Sequence, residues 1–276
     1  MKKKIIQVLI ILIGVALLVY PWIANYLNEH AAKSTISTYE NEVKHTDKKE
    51  KEEMLEKARE YNESLVGKVN RYYLNEEEKK RYAHILDITK TGIMAYVEIP
   101  KLNIYMPVYH GTDEGVLQIA AGHLPGSSLP VGGENTHSLI SGHRGLPSAK
   151  LFTDIDKLKK GDLFFIHVFD EVLAYKVNQI KIVLPDDVET LEIEKGKDYV
   201  TLITCTPYGV NSHRLLVRGE RTVYKQSESK IEDMIKKNNL KYIMLTAGVI
   251  LALIGMTVLV SVFLIKRRKR RKLNEK

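Results

Sequence analysis

The chain of 276 residues holds a single cysteine, Cys205. One cysteine cannot close an internal disulfide, and it excludes multi-cysteine zinc and iron–sulfur sites. No internal repeat is present. A surplus of basic charge is also missing from the bulk of the chain. The formal net charge is +8, but residues 266–276 carry +7 and Lys2, Lys3 and Lys4 carry +3, which leaves −2 for the remainder. The basic balance therefore belongs to the two ends and gives no support for a nucleic-acid partner.

Those ends flank apolar runs. Residues 5–24 are almost all apolar, with Gln7 the strongly polar exception. The run is longer than the apolar region of a cleaved signal peptide, and no clear small-x-small cleavage site follows. It reads as an uncleaved anchor in preference to a removed leader. Residues 242–265 are uncharged, long enough to cross a hydrocarbon core of roughly 30 Å. Basic flanks stay in the cytoplasm; Lys236, Lys237 and Lys241 oppose this weakly against the seven-residue cluster at 266–272. The expected order is a cytoplasmic N-terminus (1–4), a transmembrane helix (5–24), an extracytoplasmic region, a second transmembrane helix (242–265) and a basic cytoplasmic tail (266–276). Membrane lipid is then an expected partner, and the catalytic part faces outward.

Between the spans two grammars alternate. In 25–91, Met54, Ala58, Tyr61 and Leu65 recur at helical spacing amid Lys and Glu. Asn75 with Glu78 resembles a capping box that opens a second helix through Leu86. The plain reading is a helical stalk. From 92 to 225 the pattern is strand-like, with candidates at 95–99, 104–109, 116–119, 138–141, 163–169, 172–184, 199–205 and 214–224. That count, in one short region, suggests a mainly β domain, a small closed barrel or a sandwich. A polar linker, 226–241, leads back to the membrane.

Cys205 ends the apolar run 199–205, and Pro207 and Gly209 turn the chain toward a second run from His213. If the two pair as a hairpin, Arg214 lies opposite or nearly opposite Cys205, with cross-strand Cβ atoms about 5 Å apart. A cation that close favours thiolate, the nucleophilic form. The competing reading is a small buried hydrophobe, common for free cysteine. A cysteine nucleophile calls for a proton carrier, and histidine is the usual one. Of nine histidines, His30 and His45 fall in the expected stalk and His84 on its second helix. His167 lies in an apolar strand, and His213 should face away from Arg214. His110, His123, His137 and His143 lie near strand ends or loops. His143 has the most distinctive setting, Ser141-Gly142-His143-Arg144-Gly145, at the end of an apolar strand.

The run Thr204-Cys205-Thr206-Pro207-Tyr208-Gly209-Val210-Asn211-Ser212-His213-Arg214 resembles the active-site signature of sortases, and of their class C, the pilin-polymerising enzymes of Gram-positive bacteria. Ser141-Gly142-His143-Arg144-Gly145-Leu146-Pro147-Ser148-Ala149-Lys150-Leu151-Phe152 is similar to the histidine segment of the same class. The resemblance implies a closed eight-stranded sortase β-barrel and assigns Cys205, His143 and Arg214 as the catalytic cysteine, histidine and arginine. It implies cleavage of an LPxTG-like sorting signal between Thr and Gly. Transfer to a lysine amine of a pilin subunit would follow, with pilins as partners and no metal or organic cofactor. Attachment of surface proteins to cell-wall peptide, or an inert membrane-anchored scaffold, are the rival readings. One departure stands out: class C members usually carry an Asp-Pro-aromatic lid, whereas this chain has Arg71-Tyr72-Tyr73-Leu74-Asn75. An open site is therefore expected.

Overall fold

The computed structural model describes residues 2–224 and, beyond them, only Gly248 and Gly255. Eight strands close a barrel: β1 (Ile93–Ile99), β2 (Ile104–His110), β3 (Ala121–His123), β4 (Thr136–Ser141), β5 (Leu163–Val168), β6 (Glu171–Val183), β7 (Asp198–Thr206) and β8 (His213–Arg221), in the order β1-β2-β3-β4-β7-β8-β6-β5. β2 pairs with β3 and β4 with β7 in parallel; all other neighbours are antiparallel. Closure leaves no row of unpaired backbone groups for another chain to join. The β5–β6 hairpin is the excursion that lets β4 and β7 run the same way, since parallel neighbours need a crossover.

Alternate residues fill the interior: Val200 and Leu202 from β7, Leu215 and Val217 from β8, with Phe164 and Tyr175. On β1 every residue is buried, on both faces, because helices cover the outside of the barrel.

Those helices are α1 (Lys2–His45), α2 (Lys48–Leu65) and α3 (Glu76–His84). Asn75 caps α3, accepting from Glu78 N–H at 2.9 Å while the Glu78 carboxylate accepts from Asn75 N–H at 2.8 Å. Ala58, Tyr61 and Leu65 are buried on α2, as their spacing predicts. The expected stalk is corrected, however. Tyr39 is 1% exposed, donates to Met94 O at 3.3 Å and accepts from Phe169 N–H at 2.9 Å. Asn62 exchanges both amide hydrogen bonds with Leu129, at 3.0 and 2.6 Å. A helical stripe of aromatic and aliphatic residues buries itself on the nearest apolar surface, and here that surface is the barrel wall.

The strand expected at 116–119 is instead a short helix, α4 (Glu114–Leu117), opened by Asp113 and Glu114, acidic residues suited to a helix start. The strand in that region is β3, whose Ala-Gly-His sequence carries no alternating apolar signal. Glycine is required there because a Cβ on Gly122 would lie 2.2 Å from Gly111 O.

α1 runs unbroken across the expected membrane boundary at 24, with Pro21 inside it. Among the described residues no helix is long and apolar enough to cross a membrane. Within 5–24, the side chains of residues 5, 8, 9 and 12 are not among those described. The expected linker (226–241), second span (242–265) and tail (266–276) lie outside the described residues, apart from the two glycines.

Candidate active site

β7 and β8 build the centre of the site. Their antiparallel register pairs Cys205 with Arg214, Ile203 with Leu216 and Thr201 with Arg218. Side chains alternate along a strand, so Cys205, Ile203 and Thr201 share the outer face, as do Arg214, Leu216 and Arg218. Cys205 is half-buried, and it is not the enclosed hydrophobe of the competing reading. Arg214 Nη1 donates to Asn211 O at 3.3 Å and His213 O at 3.2 Å. Among the described residues no carboxylate pairs with it.

β4 supplies the third group. It runs parallel to β7, with Leu139 beside Thr201 and Ser141 beside Ile203. Gly142 N–H donates to Ile203 O at 3.0 Å, which carries the ladder one residue further. His143 is the next residue after that bond. Two hydrogen bonds tie this loop to β7 on either side of the cysteine. Thr204 Oγ1 donates to Gly142 O at 2.7 Å, and Arg144 Nη1 donates to Thr206 Oγ1 at 3.2 Å. Arg144 is itself fixed by Asp156 at 2.6 Å. Gly142 leaves room for the Phe152 ring, which would lie 2.6 Å from an added Cβ. The structure thus brings Cys205, Arg214 and His143 to one end of three adjacent strands.

Five other histidines have partners of their own. His137 is buried against Glu192 O at 2.9 Å and Thr201 Oγ1 at 2.7 Å, and burial pushes it down to about 4. His123 is buried against Ser128 O at 2.8 Å, and burial pushes it down to about 3. His167 contacts Glu98 at 2.7 Å and stacks on Tyr96. His110 spans the carbonyls of Gly92 and Ile85. His213 lies beside Ser212 Oγ at 2.9 Å.

Beyond Cys205 the outer face is roofed. Leu139, Leu191, Ile203 and Leu216 form a buried apolar cluster on which Tyr72 packs. Arg71 is 4% exposed and donates to Leu191 O at 2.7 Å and Tyr72 Oη at 2.8 Å, with Glu192 at 3.4 Å. A cleft of about 1040 Å³ is lined by residues 67–73 on one side and by Pro185, Asp186, Val188, Glu192 and Ile193 on the other. The segment aligned with the expected lid places Tyr72 on the apolar cluster that includes Ile203 and Leu216, the strand neighbours of Cys205 and Arg214.

Sequence reasoning gave no role to Thr204, Thr206, Arg144 or Asp156, which fix the histidine loop. The signal available was local: two threonines flanking the cysteine and an arginine next to the histidine.

The chain matches the sortase domain over residues 97–222. Sortase C1 from Streptococcus agalactiae shares 50% identity with it at a TM-score of 0.68, over 70% of this chain and 100% of that structure. Streptococcus pneumoniae sortase C shares 47% identity at a TM-score of 0.62, over 71% of this chain and 98% of that one. Sortase A of S. agalactiae is 25% identical over 243 residues, 87% of this chain and 92% of that protein. A barrel of this strand order with a cysteine at the end of β7, together with these likenesses, establishes that the chain belongs to the sortase family of cysteine transpeptidases, with the class C sortases as its structural kin.

Proposed function

We propose that Cys205, His143 and Arg214 carry out the transpeptidation and that the product is a pilin polymer. The observation that carries this reading is the Cys205–Arg214 pair at the turn end of the β7–β8 hairpin. The Cys205 thiolate attacks the Thr carbonyl of an LPxTG-like signal. The guanidinium offers donors to the developing oxyanion. Protonated His143 gives its proton to the leaving glycine amine as the C–N bond breaks, and a thioester remains. His143, now neutral, takes a proton from an incoming lysine amine. That amine displaces the thiolate and forms an isopeptide bond.

The pilin substrate rests on likeness to class C structures, one of which is described in terms of pilin substrate specificity. We also infer a membrane-held enzyme with both basic ends inside and the barrel outside. The apolar runs 5–24 and 242–265 and their basic flanks support this topology.

The test is intact mass analysis of the product formed with an LPxTG-containing peptide and a candidate pilin. The expected product joins the Thr carboxyl to a lysine side chain, and Cys205→Ala yields neither thioester nor product. Transfer only to a cell-wall peptide amine would favour the wall-anchoring reading. A Cys205 that resists alkylation in native protein would favour an inert scaffold.

A further inference from the structure

α4 lies against the histidine loop and presents one carboxylate to it. Glu114 Oε2 is 3.5 Å from His143 Nε2. That ring nitrogen is buried and makes no hydrogen bond in the structure. The other carboxylate oxygen, Oε1, accepts a short hydrogen bond from Gln118 Nε2, one helical turn on. Gln118, and then His143, hold the Glu114 carboxyl below the usual carboxylate range.

A third element, α1, is hydrogen-bonded next to both segments. Asn28 on α1 donates to Ile119 O at 3.2 Å, just past α4, and Asn25 accepts from Lys150 N–H at 2.7 Å. Two residues beyond Lys150, Phe152 N–H closes the histidine loop onto His143 O at 3.1 Å. One face of α1 therefore holds both the segment that follows the carboxylate's helix and the loop that bears the imidazole.

We propose that Glu114 is a positioning residue for the transpeptidation, orienting the His143 ring through Nε2 and leaving Nδ1 to exchange protons with the leaving and entering amines. The inference rests on the role of His143 given above. A carboxylate on one ring nitrogen fixes which nitrogen keeps its proton, and so which one reacts. In acylation the proton moves from Nδ1 to the glycine amine as the thioester forms; in the second step Nδ1 takes a proton from the lysine amine. Glu114 gains and loses nothing and touches no substrate. The other charged groups at this end are Arg144, committed to Asp156 and Thr206, and Arg214, held on two carbonyls. Neither offers the ring a negative charge. The remaining titratable groups there are the Cys205 thiol, the Tyr208 phenol, whose ring lies against Gly145, and His213, beside Ser212 Oγ.

The test uses the full chain in detergent and a quenched LPxTG-containing peptide, with kcat and KM followed across pH for wild type, Glu114→Gln and His143→Ala. Glu114→Gln keeps the shape and the Gln118 contact but removes the charge. We expect kcat to fall about fivefold, the upper end for a half-exposed charge pair, with KM unchanged and the alkaline limb of the profile moved to lower pH. Melting temperature should match wild type, since Glu114 is exposed. An unchanged profile overturns the proposal. So does a loss of rate that leaves the profile's shape intact, which would mark a merely structural contact. If His143→Ala itself keeps turnover, the role of His143 fails, and the proposal fails with it.

Discussion

Arg214 stands directly across the β7–β8 ladder from Cys205, on the same outer face of the barrel. Directly opposed residues have Cβ atoms roughly 5 Å apart, so a thiol and a guanidinium are held together by backbone register. Nothing in their own side-chain conformations has to create the pairing. The arginine's contacts are carbonyls of its own turn, at 3.3 and 3.2 Å. These are weak tethers, and a substrate oxyanion can replace them.

Arg214→Lys is expected to be far from conservative. Lysine keeps the charge but loses the planar fork that can serve an oxyanion and a backbone carbonyl at once. A loss of kcat of at least about 10²-fold is expected, the scale for one oxyanion donor. Steady-state peptide cleavage checks this; near-normal turnover would mean that diffuse positive charge is enough.

His143→Ala should be nearly inactive, while His213→Ala keeps substantial activity. Placed proton transfer contributes roughly 10²–10⁴-fold. His213 pairs with Thr206 one step past Cys205 and so faces the other way. Comparing the two variants by product mass decides the matter, and equal losses would leave the choice of histidine unsupported.

Gly142→Ala should damage both fold and activity. Its Cβ would sit 2.6 Å from the Phe152 ring, and Phe152 is fully buried. Forced overpacking costs about 1–3 kcal/mol, and relief would shift the loop that carries His143. Thermal melting and turnover should fall together; a stable variant with normal turnover would show that the Phe152 ring gives way freely.

Tyr72→Ala should raise the rate at which a thiol probe labels Cys205. Tyr72 packs on the apolar cluster that includes Ile203 and Leu216, the neighbours of Cys205 and Arg214 on the same strand faces. Removing the ring uncovers that floor. An unchanged labelling rate would assign Tyr72 to packing alone.

Acid should destabilise the barrel through two buried histidines. Burial holds His137 near 4 and His123 near 3, against an ordinary value of 6.5. Their stabilisation is complete above pH 6.5 and is lost as pH falls toward 4 and 3, because the unfolded chain then binds more protons. Each costs on the order of 2 kcal/mol by about pH 5, at 1.36 kcal/mol per unit. Urea unfolding at pH 7.5 and 5 measures the slope. His137→Gln should flatten it; an unaltered slope would locate the acid sensitivity elsewhere.

The sequence by itself determined what depends on near neighbours. The apolar run 199–205 and the turn at Pro207 and Gly209 place Cys205 opposite or nearly opposite Arg214 once the two runs pair, and the register makes them direct partners. Asn75 and Glu78 announce a helix start, because a cap is closed within three residues. Tertiary structure decided whatever joins distant segments. Arg71 meets Leu191 across 120 residues of chain, and Asn62 meets Leu129 across 67. Neither contact leaves a local pattern, so the docked helices and the aromatic roof could not be read in advance. The segment 116–119 shows the same limit in miniature. Its Val, Leu and Ile suit a strand by propensity, and only the parallel pairing of β2 with β3 shows that the strand begins after it. β3 is a strand because its neighbours supply the hydrogen bonds and Gly122 lets Gly111 come close. Propensity is a property of a segment, whereas pairing and burial belong to the surfaces that the rest of the chain brings to it.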